Sequence, residues 1–226
     1  MNLIEYLKKI NKEECPEECI FKQKSPKVAI IPPPNEILGI IVSRDPTFDW
    51  IKNYEEAWKE YNETVNVENL RKKLFEAIPK SLIERITTYK DKLNSTEEDI
   101  VCLHKMIYKN VYWTHLHKCF TNKRDKEYEF DNKNAIICGE RWLAKELEIA
   151  TNTKTKFIIA LGRDVQRFVC EWREDYCENR DIKIIYLPHP SPANVGKYWS
   201  WCPKEERNKV RLTKRINNLL QLCKGG

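Results

Sequence analysis

Residues 38–46 read LGIIVSRDP: an apolar, largely β-branched run that ends in a serine, a charged pair and a proline. A run this short, bounded by turn residues, is expected to form a buried strand whose far end presents ionisable groups. Three more runs of the same kind follow, at 111–116 (VYWTHL), 157–161 (FIIAL) and 182–187 (IKIIYL). Helical periodicity fills the intervals. It is seen at 55–60 and 67–86 before the second strand, at 137–150 before the third and at 165–175 before the fourth. Residues 3–10 form a short amphipathic helix, and a last helix is expected over 205–222. Strands alternating with helices predict a three-layer α/β/α sandwich around a central, mainly parallel four-stranded sheet.

The chain of 226 residues is long enough to bury a sizeable core and is read as one domain, 1–226. No apolar run approaches the roughly 20 residues of a membrane span. The first residues, MNLIEYLKKINKEEC, interrupt their apolar positions with charges, unlike a signal peptide. An intracellular, membrane-free protein is therefore expected. The net charge of +6 is compatible with a polyanionic partner without demanding one. The nine cysteines say more: an odd number without a secretory signal points to metal ligation or free thiols rather than a disulfide framework. Pro32-Pro33-Pro34 is a stiff, extended connector after the N-terminal arm, residues 1–36.

In parallel sheets the chemistry gathers at the carboxyl ends of the strands. Here those ends carry Ser43-Arg44-Asp45-Pro46, His115 to Cys119, Gly162-Arg163-Asp164 and His189-Pro190-Ser191-Pro192. Asp45 and His189 are expected to face one crevice. A carboxylate can orient water and balance a developing cation, and an imidazole can donate to an oxygen gaining negative charge. A solvent-exposed histidine on a stiff proline turn is the plain alternative for His189.

These segments carry a resemblance. SRDPT (43–47) resembles the first motif of uracil-DNA glycosylases, whose forms are GQDPY and GEAPG. HPSPAN (189–194) is similar to their second motif. THLHKC (114–119) sits where the iron-sulfur families, numbered four and five, have TN-x-x-KC, and FIIALGRDV (157–165) resembles their VIVALG segment. The likeness runs from about residue 3 to residue 200.

The resemblance implies a DNA glycosylase of base excision repair, removing a deaminated base: uracil first, hypoxanthine or xanthine as alternatives. It implies Asp45 positioning water and His189 stabilising the leaving base. It implies a [4Fe-4S] cluster on Cys15, Cys19, Cys119 and Cys138 that clamps the arm to the core, with zinc on the same thiolates as the alternative. The first pair here is spaced C-x-x-x-C rather than the family's C-x-x-C. His115 falls where the family's base-reading asparagine stands, with His117 the alternative if the register slips. Trp58 and Phe48, and after them Tyr54, are expected to stack on the base. Ser191 is expected to bind a DNA phosphate beside Asn194, Val195 and Lys197, with Val195 or Tyr198 as the wedge because Ala193 is small. The expected partner is DNA bearing a damaged base, bound by a monomer. A non-catalytic iron-sulfur DNA-binding protein of the same fold is the alternative function, and a zinc-stabilised nucleoside hydrolase a more distant one.

Overall fold

The computed structural model describes residues 2–10, 13, 15–22, 28–47, 54–57, 67–74, 78–87, 96–175, 181–190 and 217–221. Four parallel strands, β1 (Gly39–Ser43), β2 (Val111–His115), β3 (Phe157–Leu161) and β4 (Lys183–Leu187), form one sheet in the order β2-β1-β3-β4. The sequence expectation for the sheet holds; β1 lies one residue on from the expected 38–42, and β2 and β4 are each one residue shorter than expected.

Side-chain alternation divides the sheet into two apolar faces. Ile41, Trp113, Phe157, Ile159, Leu161, Ile185 and Leu187 pack on one side with Leu70, Leu74, Leu82, Leu103, Ile107 and Leu219. Those residues come from helices Val67–Leu74, Ile78–Thr87, Glu97–Asn110 and the helical residues 217–221. Ile40, Val42, Tyr112, Ile158 and Ala160 pack on the other side with Leu7, Leu147, Val165 and Trp172. There the covering helices are Leu3–Ile10, Asn132–Cys138, Ala144–Ala150 and Arg163–Asp175. The architecture is a three-layer α/β/α sandwich. No helix among the described residues is long and apolar enough to cross a membrane.

Several boundaries differ from the sequence reading. The span expected as one helix at 67–86 is two helices, and Pro79 stands in the first turn of the second, where its missing N–H has no partner to lose. Helix Glu97–Asn110 was not expected. Thr96 starts it through a capping box, its side chain accepting from Asp99 N while the Asp99 side chain accepts from Thr96 N. That helix runs directly into β2. Its end is held by Arg71, a buried guanidinium that donates to the carbonyls of Pro32 (2.6 Å) and Val111 (2.6 Å). The helix expected at 137–150 begins at Asn132 and passes through a π-helical turn, Gly139–Leu143. Gly139 is needed there for close approach, since a Cβ would stand 2.6 Å from Leu116 Cδ1 and 2.7 Å from Phe168 Cε2.

The strand order singles out one place where a crevice is expected. From β1 the chain crosses one face to β2, and from β2 it crosses the other face to β3. The connections leaving β1 and β3 therefore diverge, and a parallel sheet opens at its carboxyl edge where that happens.

Candidate active site

The strand register sets the two suspected residues at one height. Ser43 pairs with His115, Val42 with Ala160, and Leu161 with Leu187. Ser43, His115, Leu161 and Leu187 thus form one row across the sheet, and Asp45 and His189 each stand two residues beyond it. With β3 between their strands, they are separated by two strand spacings, about 10 Å at the backbone. Gly162 lies between them. Its φ of +88° turns the chain out of β3, and a Cβ there would come 3.5 Å from His189 Cβ. Gln166, fully buried, donates through Nε2 to Leu187 O at 2.8 Å and so fixes the last residue of β4 just before His189.

The loop bearing Asp45 is tied to the segment that leaves β2. Leu116 N donates to Ser43 O (2.8 Å), His117 N to Arg44 O (2.9 Å) and Thr121 N to Pro46 O (2.8 Å). The Asp45 side chain is only 4% exposed. Its Oδ1 accepts from Arg44 Nε at 2.5 Å, and its Oδ2 accepts from the Thr121 hydroxyl. The Arg44 guanidinium in turn lies over the Phe130 ring, 4.0 Å from its centroid.

The three described histidines of this edge differ in environment. His117 is locked. Its Nδ1 donates to Cys119 O (3.1 Å), and its Nε2 accepts from Asn134 Nδ2 (2.8 Å), whose own Oδ1 accepts from Ile20 N (3.1 Å). Cys119 O can only accept, which fixes the proton on Nδ1. Burial lowers the pKa of His117 to about 4, against the pull of Asp45. His115 is 2% exposed and packs its ring against Trp113, centroids 5.1 Å apart. Burial holds it well below the usual histidine range, helped by the charge of Lys118 and by His117 and His189. It is a neutral imidazole with one donor and one acceptor. His189, half-buried, is close enough to His115 to contribute to that shift.

The four cysteines singled out in the sequence come together. Cys15, Cys19, Cys119 and Cys138 line one cavity with Ile10, Val28 and Trp142. Cys15 shares hydrogen bonds with both Cys119 and Cys19; the first raises its pKa, while the second lowers it and raises that of Cys19, and burial pushes Cys138 up to about 12. The backbone closes the same corner through Ala29 N to Lys118 O (3.0 Å) and an antiparallel bridge between Val28 and Cys119. Among the described residues, no group of three or more His, Cys, Asp or Glu is disposed to hold a metal ion.

Sequence reasoning missed a buried quartet beside this corner. Lys118 Nζ lies 2.6 Å from Glu146 Oε2, with side chains 3% and 0% exposed. Glu146 Oε1 accepts from Tyr112 OH at 2.8 Å and from the Thr114 hydroxyl, and Lys118 Nζ donates to Thr114 Oγ1 at 2.7 Å. Only the packing of its helix under β2 reveals Glu146 as buried. Thr121 and Asn134 left no sequence signal either.

Other expectations fall differently. Tyr54 packs against the core, its ring edge to Phe120 and its OH accepting from Ile30 N at 2.9 Å, so it is engaged within the fold. Trp58, Phe48, Ser191, Asn194, Val195, Lys197 and Tyr198 lie outside the described residues.

The family described as the Uracil DNA glycosylase superfamily matches residues 54–219. That span holds His115, Cys119, Cys138 and His189 and leaves Asp45, Cys15 and Cys19 before it. Among curated proteins no match was found. A match over more than half of the sequence, on a four-stranded parallel sheet with helices on both faces, decides the assignment: the chain belongs to the uracil DNA glycosylase superfamily.

Proposed function

We propose that the protein is a DNA glycosylase that hydrolyses the N-glycosidic bond of a deaminated base, with Asp45 and His189 as its working pair. Superfamily membership supports the reaction class. The observation that carries the assignment of residues is the register, which sets Asp45 and His189 two residues past one row of the sheet, on either side of Gly162. The base must first leave the stack, because no side chain reaches that bond inside a duplex. As the C–N bond breaks, the sugar gains positive charge and the base negative charge. The Asp45 carboxylate opposes the first and orients the water whose oxygen bonds to the sugar carbon, the water's released proton passing to that carboxylate and on to solvent. His189 donates to the base oxygen, and the departing base anion takes up a proton from solvent at the nitrogen that the sugar leaves. His115, neutral with one donor and one acceptor, reads the edge of the base, with uracil the first choice and hypoxanthine or xanthine next. The stacking, phosphate and wedge roles of Trp58, Phe48, Ser191, Asn194, Val195 and Lys197 follow from the resemblance alone. The protein would act as a monomer on intracellular DNA.

The cysteine corner supports a [4Fe-4S] cluster of the family four and five type. Four thiols gather at one cavity, and the imidazole that also lines it, His117, has both ring nitrogens engaged by Cys119 O and Asn134. Such a cluster takes one thiolate per iron, four in all, and zinc on the same four thiolates is the alternative. Bound there, it would supply a covalent clamp between the arm, residues 1–36, and the segment leaving β2.

The test is incubation of purified protein with strands bearing uracil, hypoxanthine or xanthine, followed by alkaline scission at abasic sites, with the visible spectrum recorded. Release of at least one base is expected, lost in Asp45→Ala and in His189→Ala, together with absorbance near the thiolate-to-iron region. Salt-sensitive DNA binding without release of any base would replace this reading by the non-catalytic one.

A further inference from the structure

We propose that Thr121 is a positioning residue for Asp45, acting with Arg44 to hold the carboxylate in one orientation. The inference rests on the role given to Asp45 above. A carboxylate turns about its last side-chain bond in a broad, two-fold well, so a single donor leaves it free to swing. Here each oxygen has its own donor from a different part of the chain. Arg44 Nε, from the neighbouring residue, takes Oδ1, and the Thr121 hydroxyl, 76 residues away, takes Oδ2.

The Thr121 hydroxyl serves the carboxylate because the rest of that residue is held independently. Its N–H donates to Pro46 O at 2.8 Å and it bridges Thr47 in parallel. The residue is 2% exposed, so no bulk water stands ready to replace the hydroxyl. Each carboxylate oxygen still keeps a lone pair for a water or for the sugar's growing charge. An electrostatic contribution to a transition state depends on such prior fixing, since a charge that must reorient at the moment of reaction gives part of its effect back. Thr121 also stands two residues beyond Cys119, so the segment that reaches the cysteine corner is the one that sets the carboxylate.

Thr121→Val keeps the shape and both backbone contacts and removes only the hydroxyl. On the uracil-containing strand, or the hypoxanthine strand if activity lies there, kcat is expected to fall roughly ten- to hundredfold, the range of one charge-assisted hydrogen bond. KM for the strand should stay within about twofold, the pattern of an interaction made in the transition state. Thr121→Ser should restore most of the rate, and in an Asp45→Ala background Thr121→Val should cost nothing further. A Thr121→Val protein at full rate beside an inactive Asp45→Ala overturns the proposal. So does an equal loss in both backgrounds, or a serine variant as slow as the valine one. Full activity in Asp45→Ala overturns instead the reading on which the proposal rests.

Discussion

Asp45 and Glu146 are two carboxylates with nearly the same surroundings and opposite prospects. Both are almost wholly buried, at 4% and 0% side-chain exposure. Each has a basic group within 2.6 Å, and each accepts from a threonine hydroxyl. The difference lies in the partner. Lys118 is 3% exposed and spends its donors on Glu146 and Thr114, so the Glu146 quartet is sealed inside the sheet–helix seam. Arg44 is 35% exposed and sits past the end of β1, so the Asp45 group keeps a solvent-facing side at the carboxyl edge of the sheet. A closed ion pair contributes to a fixed fold. One with an open side can meet a ligand.

The comparison breaks most sharply at Asp45. Asp45→Ala is expected to lower the rate of base release by roughly 100- to 10,000-fold, as loss of a positioned acid–base group does. Its melting temperature should change little, since the cation it releases is partly solvated. A large loss of stability with little loss of rate would make Asp45 a second Glu146. The reverse is expected at Glu146. Glu146→Ala leaves the Lys118 ammonium buried without its carboxylate and should cost about 3–5 kcal/mol in chemical denaturation. The double variant Lys118→Met, Glu146→Leu should recover most of that, because paired apolar replacements avoid the stranded charge. If the single variant is as stable as the parent, the seam is wetter than its burial indicates.

A smaller effect separates the two sides of the crevice. Gln166→Leu removes the side-chain donor to Leu187 O, with an expected loss of about 1–3 kcal/mol. It should slow base release through His189 more than Thr121→Val changes stability. Equal effects on stability and on rate would assign Gln166 to packing alone.

How much of this was legible follows from what kind of signal each residue leaves. The strands were, because β-branched runs bounded by turns report burial directly. The placement of Asp45 and His189 past strand ends, and of the four cysteines at one corner, was legible too, because motif order carried them and strand ends collect such groups. Helix Glu97–Asn110 was missed although Thr96-Glu-Glu-Asp99 spells its capping box, which only the terminal residues announce. Thr121, Arg71 and Glu146 were opaque for a different reason. A threonine, an arginine or a glutamate reads as surface unless one knows which helix or loop packs over it, and that is settled by contacts 30 to 80 positions apart in the chain.

The finest test concerns whether His115 is kept neutral by its burial. Its folded pKa lies well below 6.5, first through desolvation and then through Lys118, His117 and His189, the titratable and charged groups that act on it. The unfolded chain takes up a proton at this histidine below about pH 6.5 while the folded chain does not. Folding stability therefore carries the full contribution above that pH and loses it as pH falls, by about 1.4 kcal/mol per unit for one such group. Between pH 7 and pH 5 the parent protein should lose about 2 kcal/mol more than His115→Gln, whose side chain does not titrate. Denaturant unfolding at the two pH values measures the difference directly. Equal slopes would mean that the imidazole charges as readily in the folded chain as outside it. A charged ring has two donors and no acceptor, so it could not read a base edge that asks for one of each.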